Sequence, residues 1–407
     1  MEKLNYLALG KGFGVEMEYM IVDKDSLKVL PISDLLLQDV SGDITADFEN
    51  GDMAWSNELV LHVLEIKTNG PSPTLKGLSE KFAENVSLAN KLLSKHNAIL
   101  LPSGAHPWMN PLSETKIWPH EYNEVYALYD RIFDCKGHGW SNLQSTHINL
   151  PFANDEEFAK LHAAIRLILP IIPALSASTP ILDASYSGIK DHRLEYYRLN
   201  QKKIPSIAGK VIPERAFSQG DYESLIFKPI RKEMAVYDTD KILSKYFLNS
   251  RGAIARFDRM AVEIRIIDIQ ESPKMDIAVL ELIDAAINYL ISLQSDFFER
   301  QKAWDENDLS AIFRDVIKDA ENTRIANSRY LAEFGFKGES ASAIELWEFI
   351  MDQTVFQNNA IEVILKEGTL ATRILKAVEN DFSESNLRSV YKKLGQCLAK
   401  NESFSLE

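Results

Sequence analysis

The chain has 407 residues, of which 45% are hydrophobic and 26% charged, enough apolar mass for a large core or for two subdomains sharing one sheet. A formal charge of −14 argues against a nucleic-acid backbone as the main partner, since such binders present a basic face, but leaves room for a nucleotide held by local arginines and bound metal. Cys135 and Cys397 are the only two cysteines and lie far apart in sequence, so there is no disulfide framework and no CxxC metal motif; residues 1–10 lack a signal-peptide core and the apolar run 167–182 is broken by Pro170, Pro173 and Pro180, so a cytoplasmic protein without a membrane span is expected.

Residues 13–23 read as a strand in which Glu16 and Glu18 interrupt an apolar run. Period two puts both carboxylates on one face, about 6.8 Å apart along the backbone. Two acids on a mainly buried strand are costly unless cations neutralise them. Mg²⁺ or Mn²⁺, which prefer oxygen ligands and arrive with phosphates, are the expected neutralisers; the plain alternative is a solvent-facing edge with two ordinary acids. The preceding Gly10-Lys11-Gly12-Phe13-Gly14 leads into a strand and not a helix. It therefore lacks the helix dipole of a phosphate loop and is read as shaping the strand's entry.

Pro31 and residues 42–51 read as loop, 58–68 as a second strand, and Asn69-Gly70-Pro71-Ser72-Pro73 as a turn. Leu75, Leu78, Phe82, Val86, Ala89, Leu92 and Leu93 then recur with helical period. A short strand at 98–103 runs into Gly104-Ala105-His106-Pro107, and another covers 144–152. Asn154, followed by Asp155, Glu156 and Glu157, caps a helix that Pro170 stops. Residues 183–235 are loop-rich and basic; Arg193 and Arg198 stand out there because aromatic neighbours mark a cleft wall. A last strong strand spans 261–270, and helices are expected at about 275–300, 308–334, 341–366 and 384–400, the last capped by Ser383. Irregular spacing between strands favours a largely antiparallel sheet with helices on one side, an α+β class, over a doubly wound sheet.

Four strands thus carry charge into apolar surroundings: Glu16 and Glu18; Glu58 and Glu65; Ser145, His147 and Asn149; Glu263 and Arg265, with Asp268 expected on the opposite face. Glu58 and Glu65 are seven residues apart. A flat strand would put them on opposite faces, so serving one site requires a bulge or an early strand start. Convergent acids with one histidine and one arginine fit a metal–nucleotide cleft, in which cations bridge phosphate oxygens and arginine binds phosphate bidentately. No Gly-x-Ser-x-Gly elbow and no Ser/His/Asp or Cys/His arrangement competes with it.

Gly14-Val15-Glu16-Met17-Glu18-Tyr19 resembles the opening G-[IVL]-E-x-E strand of the glutamate–cysteine ligase superfamily, including its carboxylate–amine ligase branch. Glu58 with Glu65, the Gly104–Pro107 turn, Ser145-Thr146-His147-Ile148-Asn149 and Val262-Glu263-Ile264-Arg265-Ile266-Ile267-Asp268 follow in the family's order. The turn departs from the usual Gly-Thr-His-Pro by one alanine. The resemblance covers roughly residues 10–275. It implies a sheet related to that of glutamine synthetase, curved into an active-site cleft with helices on its outer side. A catalytic sheet domain would span 1–275, with a helical region, 276–407, packed on the same core. It also implies ATP with Mg²⁺ or Mn²⁺, phosphorylation of a glutamate γ-carboxylate, and attack of an amine on the acyl phosphate. Glu16, Glu18, Glu58, Glu65, His147 and Glu263 would be metal ligands. Glu16 and Arg265 would carry catalysis, and Arg265, Arg198 and Arg193 would face phosphate or cofactor. The partners would be small molecules, a glutamate-like carboxylate and an amine, and the long helical tail would suit a homodimer. Two other readings stand beside the ligase: a guanidino or amino-acid phosphotransferase on a related sheet, and a non-catalytic protein binding nucleotide and metal.

Overall fold

A computed structural model describes residues 6–243 and 248–406. Its centre is an eight-stranded sheet of β1 (Gly14–Asp23), β2 (Asp47–Asn50), β3 (Met53–Asn57), β4 (Val63–Thr68), β5 (Ala98–Leu101), β6 (Ser145–Pro151), β7 (Ala253–Arg256) and β8 (Ala261–Asp268). The order is β2-β3-β4-β1-β6-β8-β7, with β5 pairing the far end of β1, and every pairing in this sheet is antiparallel. The fold is therefore α+β with an open antiparallel sheet and helices around it, as the strand spacing predicts.

Alternation along β1 sorts its side chains. Val15, Met17, Tyr19 and Ile21 are fully buried. They pack with Leu64 and Ile66 of β4, Ile148 of β6 and Val262 and Ile264 of β8 against three helices: Leu78–Leu93, Asp155–Ile168 and Pro273–Ser292. The capping residues act as expected. The Asn154 side chain accepts from the Glu157 amide at 3.0 Å and Ser383 accepts from Asn386 at 3.4 Å, each satisfying an otherwise orphaned first-turn donor.

The opposite face of β1 has two parts. Glu16 and Glu18 face the candidate site, whereas Met20 and Val22 join a second apolar cluster with Leu101 and with helices Leu370–Val378 and Glu384–Lys400. Helices thus cover the outer face of the sheet and also close one end of its inner face. Among the described residues no helix is long and apolar enough to cross a membrane.

Several expected elements are redrawn. Residues 58–68 are not one strand. Met53–Asn57 and Val63–Thr68 form a hairpin whose connection carries Glu58. The 42–51 loop includes β2, a short polar edge strand, and β7 lies within a stretch where no strand is expected. The basic segment holds helices His192–Tyr197 and Gln219–Tyr222, the latter running on to Met234. The expected long helices break at Leu293, after Asp319 and after Asp352, and a helix at Leu370–Val378 adds to them.

Candidate functional site

Antiparallel pairing aligns the inner-face side chains in rows. Glu18 lies directly across from Glu65, and Glu65 from Ser56. Glu16 lies across from Lys67 on one side and His147 on the other. Directly opposed residues hold their Cβ atoms about 5 Å apart, so the Glu18–Glu65 pair sets like charges face to face, a destabilising arrangement in the absence of a cation.

His147 is the hub. Its Nδ1 lies 2.9 Å from Glu16 Oε2 and 3.9 Å from Glu263 Oε1. Its Nε2 lies 2.9 Å from Ser145 Oγ and 3.9 Å from Glu18 Oε1. Ser145 in turn donates through its amide and hydroxyl to Glu18 Oε2 at 2.7 and 2.9 Å. Asn149 Nδ2 donates to Glu16 Oε1 at 3.2 Å. Two donor groups result, Glu16/His147/Glu263 and Glu18/Glu65/His147, with the ligating atoms of each within 4.8 Å of one another.

The electrostatics follow from this packing. Burial pushes the Glu16 carboxyl up and Glu263 adds to it, but the hydrogen bond from His147 together with the charges of His147 and Lys67 makes the net shift downward. Glu263 behaves alike: burial is overcome by Arg265, His147 and Arg256. Glu18 is raised by burial, with Glu65 adding to it. Glu58 is raised further, by burial and then by Glu18 and Glu65. The His147 imidazole is raised because its bond to Glu16 and the surrounding acids overcome burial. Arg265, 3.0 Å from Glu263 Oε1, is held firmly protonated by Glu263, Tyr197, Glu16 and Glu18 against its own burial. Five acids (Glu16, Glu18, Glu58, Glu65 and Glu263) thus face Lys67, Arg256 and Arg265, an excess of negative charge in a desolvated place. Carboxylate-rich sets with one imidazole suit Mg²⁺ or Mn²⁺, and the residues present fit such ions.

All six expected metal-site residues therefore meet in one place. Glu58, delivered by the hairpin connection, stands beside Glu18 and Glu65 but outside both donor groups. That hairpin, and no bulge, resolves the odd spacing of Glu58 and Glu65.

A bulge occurs instead in β8, where Arg265 and Ile266 together oppose His147. It reverses the parity, so Asp268 pairs with Ser145 on the inner side and not on the opposite face as the alternation predicts. There Asp268 binds Arg193 Nη1 at 3.1 Å, the Ser178 amide at 2.9 Å and Thr179 Oγ1 at 3.0 Å. Gly104 belongs to the same support, since a Cβ on it would sit 2.8 Å from Asp268 Cγ.

The two other expected phosphate contacts have protein partners. Arg193 is 2% exposed and gives its second Nη to the Arg265 carbonyl at 2.7 Å. It braces the bulge from below. Arg198 is bidentate to Glu195, at 2.7 and 2.6 Å, on its own helix.

Lys67 escapes motif reading but not period two, since it follows Glu65 by two residues. Its Nζ reaches Glu65 Oε1 at 2.9 Å and Ser56 Oγ at 2.7 Å. Arg256, 3.3 Å from Glu263 Oε2, rides on the unexpected β7. Beside the acids lies a cavity of about 500 Å³. Glu16, Lys67 and Asn149 form its inner end, and Phe13, Pro71 and Met260 its apolar walls. Gly14 lets β6 approach there, a Cβ on it falling 3.0 Å from Asn149 Cβ.

The sequence model of glutamate–cysteine ligase family 2 matches residues 12–392. A protein of Archaeoglobus fulgidus without an assigned activity is 30% identical over 399 residues, 96% of this chain and 99% of its own. A candidate glutamate–cysteine ligase 2 of Bradyrhizobium diazoefficiens is 26% identical over 222 residues, 53% of this chain and 46% of the relative. One from Ruegeria pomeroyi is 24% identical over 186 residues, 45% of this chain and 44% of the relative; the matched segments span less than half of both curated ligases. A crystal structure of the prokaryotic ubiquitin-like protein Pup with its ligase PafA aligns loosely, at 12% identity and a TM-score of 0.42 over 97% of this chain and 65% of that one. With nearly all of its length matched by the family's sequence model, this chain belongs to glutamate–cysteine ligase family 2.

Proposed function

We propose that the chain is an ATP-dependent carboxylate–amine ligase that joins a γ-glutamyl-type donor to an amine through an acyl phosphate, with Mg²⁺ or Mn²⁺. The observation that carries this reading is His147, held between two sets of carboxylates contributed by three strands. A carboxylate is a poor electrophile, and phosphorylation gives it a leaving group. Divalent ions, when bound, would offset the phosphate charge during that transfer.

The remaining roles fall to the chain's own residues. Glu16, Glu18, Glu65, His147 and Glu263 would hold the ions, with Glu58 adding charge beside them. Asn149 and Ser145 orient Glu16 and Glu18 through the hydrogen bonds above. Arg265 offers a permanent positive charge beside Glu263, suited to a transferring phosphate. The 500 Å³ cavity, ending on Glu16, Lys67 and Asn149, has the size and apolar walls of a nucleotide pocket. Arg193 positions Arg265 and does not contact phosphate. A homodimer and a cytoplasmic setting remain part of this proposal.

The test is a screen of amino acids and amines for coupled ADP release, with mass analysis of products. The reading requires that release depend on both a carboxylate and an amine, and that an amide form. A stable phosphorylated product without amide would make the protein a phosphotransferase. Nucleotide binding without turnover under every mixture would make it a binding protein.

A further inference from the structure

A second cavity, of about 1020 Å³, opens in the helical layer away from the acid cluster. The helix Pro273–Ser292 forms one wall and residues 353–360 the other. Its charges are segregated. Lys76 and Lys274 stand at the start of the helix, and Glu281 and Asp284 further along the same face. At 1.5 Å per residue, Lys274 is roughly 10 Å from Glu281 and roughly 15 Å from Asp284 along the helix axis.

Among the described residues no ion pair joins any of these four groups to a partner. Glu281 accepts only a neutral donor, Asn358 Nδ2 at 2.6 Å, a bond that also ties the facing loop to the helix. Burial pushes the Asp284 carboxyl up to about 6; the Asn288 hydrogen bond opposes this and Glu281 reinforces it. A half-buried acid pair without a cation and two lysines without an anion thus share one cavity. Tyr289 and Phe356 add apolar surface to the lining.

The spacing selects the ligand. A free amino acid holds its ammonium and carboxylate about 3 Å apart, too close to reach both ends. A polyamine would leave the lysines unanswered, and a dicarboxylate would leave the acids. An extended peptide advances about 3.3 Å per residue, so three or four residues span the gap.

We propose that this cavity is a second binding site for a short zwitterionic peptide of three to four residues, its ammonium on Glu281 and Asp284 and its carboxylate on Lys274 and Lys76. Occupancy would reach the catalytic sheet through the same helix. Asp276, in its first turns, accepts from Thr146 Oγ1 at 2.6 Å, next to His147, and from the Gln270 amide at 3.0 Å, just beyond β8.

The experiment is calorimetric titration of the full chain, without nucleotide, with triglycine and tetraglycine. N-acetyl-triglycine and triglycinamide serve as probes lacking one charge. Saturable binding of the free peptides is expected, weakened at least tenfold by blocking either end. Glu281→Gln with Asp284→Asn, and separately Lys76→Ala with Lys274→Ala, should each weaken it as much. These variants remove partly or fully exposed charges, and a thermal melt checks that they fold. Arg265→Ala should bind the peptides like the parent chain. Absent binding, blocked probes binding equally well, indifference to both double variants, or loss in Arg265→Ala would each overturn the site. The readout is binding without turnover, so a failed ligase assay leaves this result standing, and the reverse.

Discussion

The inner face of β1 does two opposite things along ten residues. Its first half sets Glu16 and Glu18 opposite Lys67, Glu65 and His147. Its second half sets Met20 and Val22 opposite Val63, Leu101 and Ile99, under the helices Leu370–Val378 and Glu384–Lys400. Strand geometry is the same in both; the covering differs. Where helices close over the face, apolar burial stabilises the fold. Where they do not, charge accumulates that is tolerable only with cations.

That contrast can be broken at either end. The largest effect is expected in the near half: Glu16→Gln or Arg265→Ala should lower turnover by roughly 10³-fold, with the melting temperature unchanged or raised in Glu16→Gln and lowered in Arg265→Ala, which leaves Glu263 buried without its main countercharge. Steady-state ADP release and a thermal melt check this. Full activity of Glu16→Gln at limiting Mg²⁺ would remove Glu16 from the metal centre. Beneath the site, Asp268→Ala leaves the Arg193 guanidinium buried without its carboxylate, which should cost about 3–5 kcal/mol in denaturant unfolding. Turnover should fall too, because Arg193 also holds the Arg265 carbonyl.

In the far half, Leu394→Ala should cost about 2–5 kcal/mol while turnover per folded molecule is kept. A drop in kcat for the folded fraction would show that the two halves are not separable. A graded effect, at most about 3 kcal/mol for each residue, is a pH dependence from two buried histidines off the face that carries the acids. His62 and His106 donate through Nε2 to the Ser141 and Leu27 carbonyls at 2.7 Å each. Burial lowers both from 6.5 to about 4. The unfolded chain takes up these protons first, so stability is full above pH 6.5 and falls as pH drops toward 4, by up to about 3 kcal/mol per ring. Urea midpoints across that range should show the fall, and His62→Gln should shrink it.

Much of this was legible in residue order. Period two placed Glu16 with Glu18, and Ser145 with His147 and Asn149, because fully paired central strands obey strict alternation. The same rule would have flagged Lys67. Legibility failed where geometry departs from the regular ladder. Nothing in Arg265-Ile266 announces that both oppose one residue, so Asp268 was expected on the wrong side. The 58–68 run looks continuous because Leu59, Val60 and Leu61 are apolar, although they form a connection. β2 is polar and short, and edge strands of that kind carry no hydrophobic signal. The commitments of Arg193 and Arg198 depend on partners, Asp268 and Glu195, that composition alone cannot select.

The bulge in β8 also governs how this chain tolerates changes of length. Losing or gaining one residue between Glu263 and Asp268 would turn every later side chain of that strand through half a revolution, aiming Asp268 into the oily layer and stranding the guanidinium that leans on it. This six-residue window admits substitution but no indel.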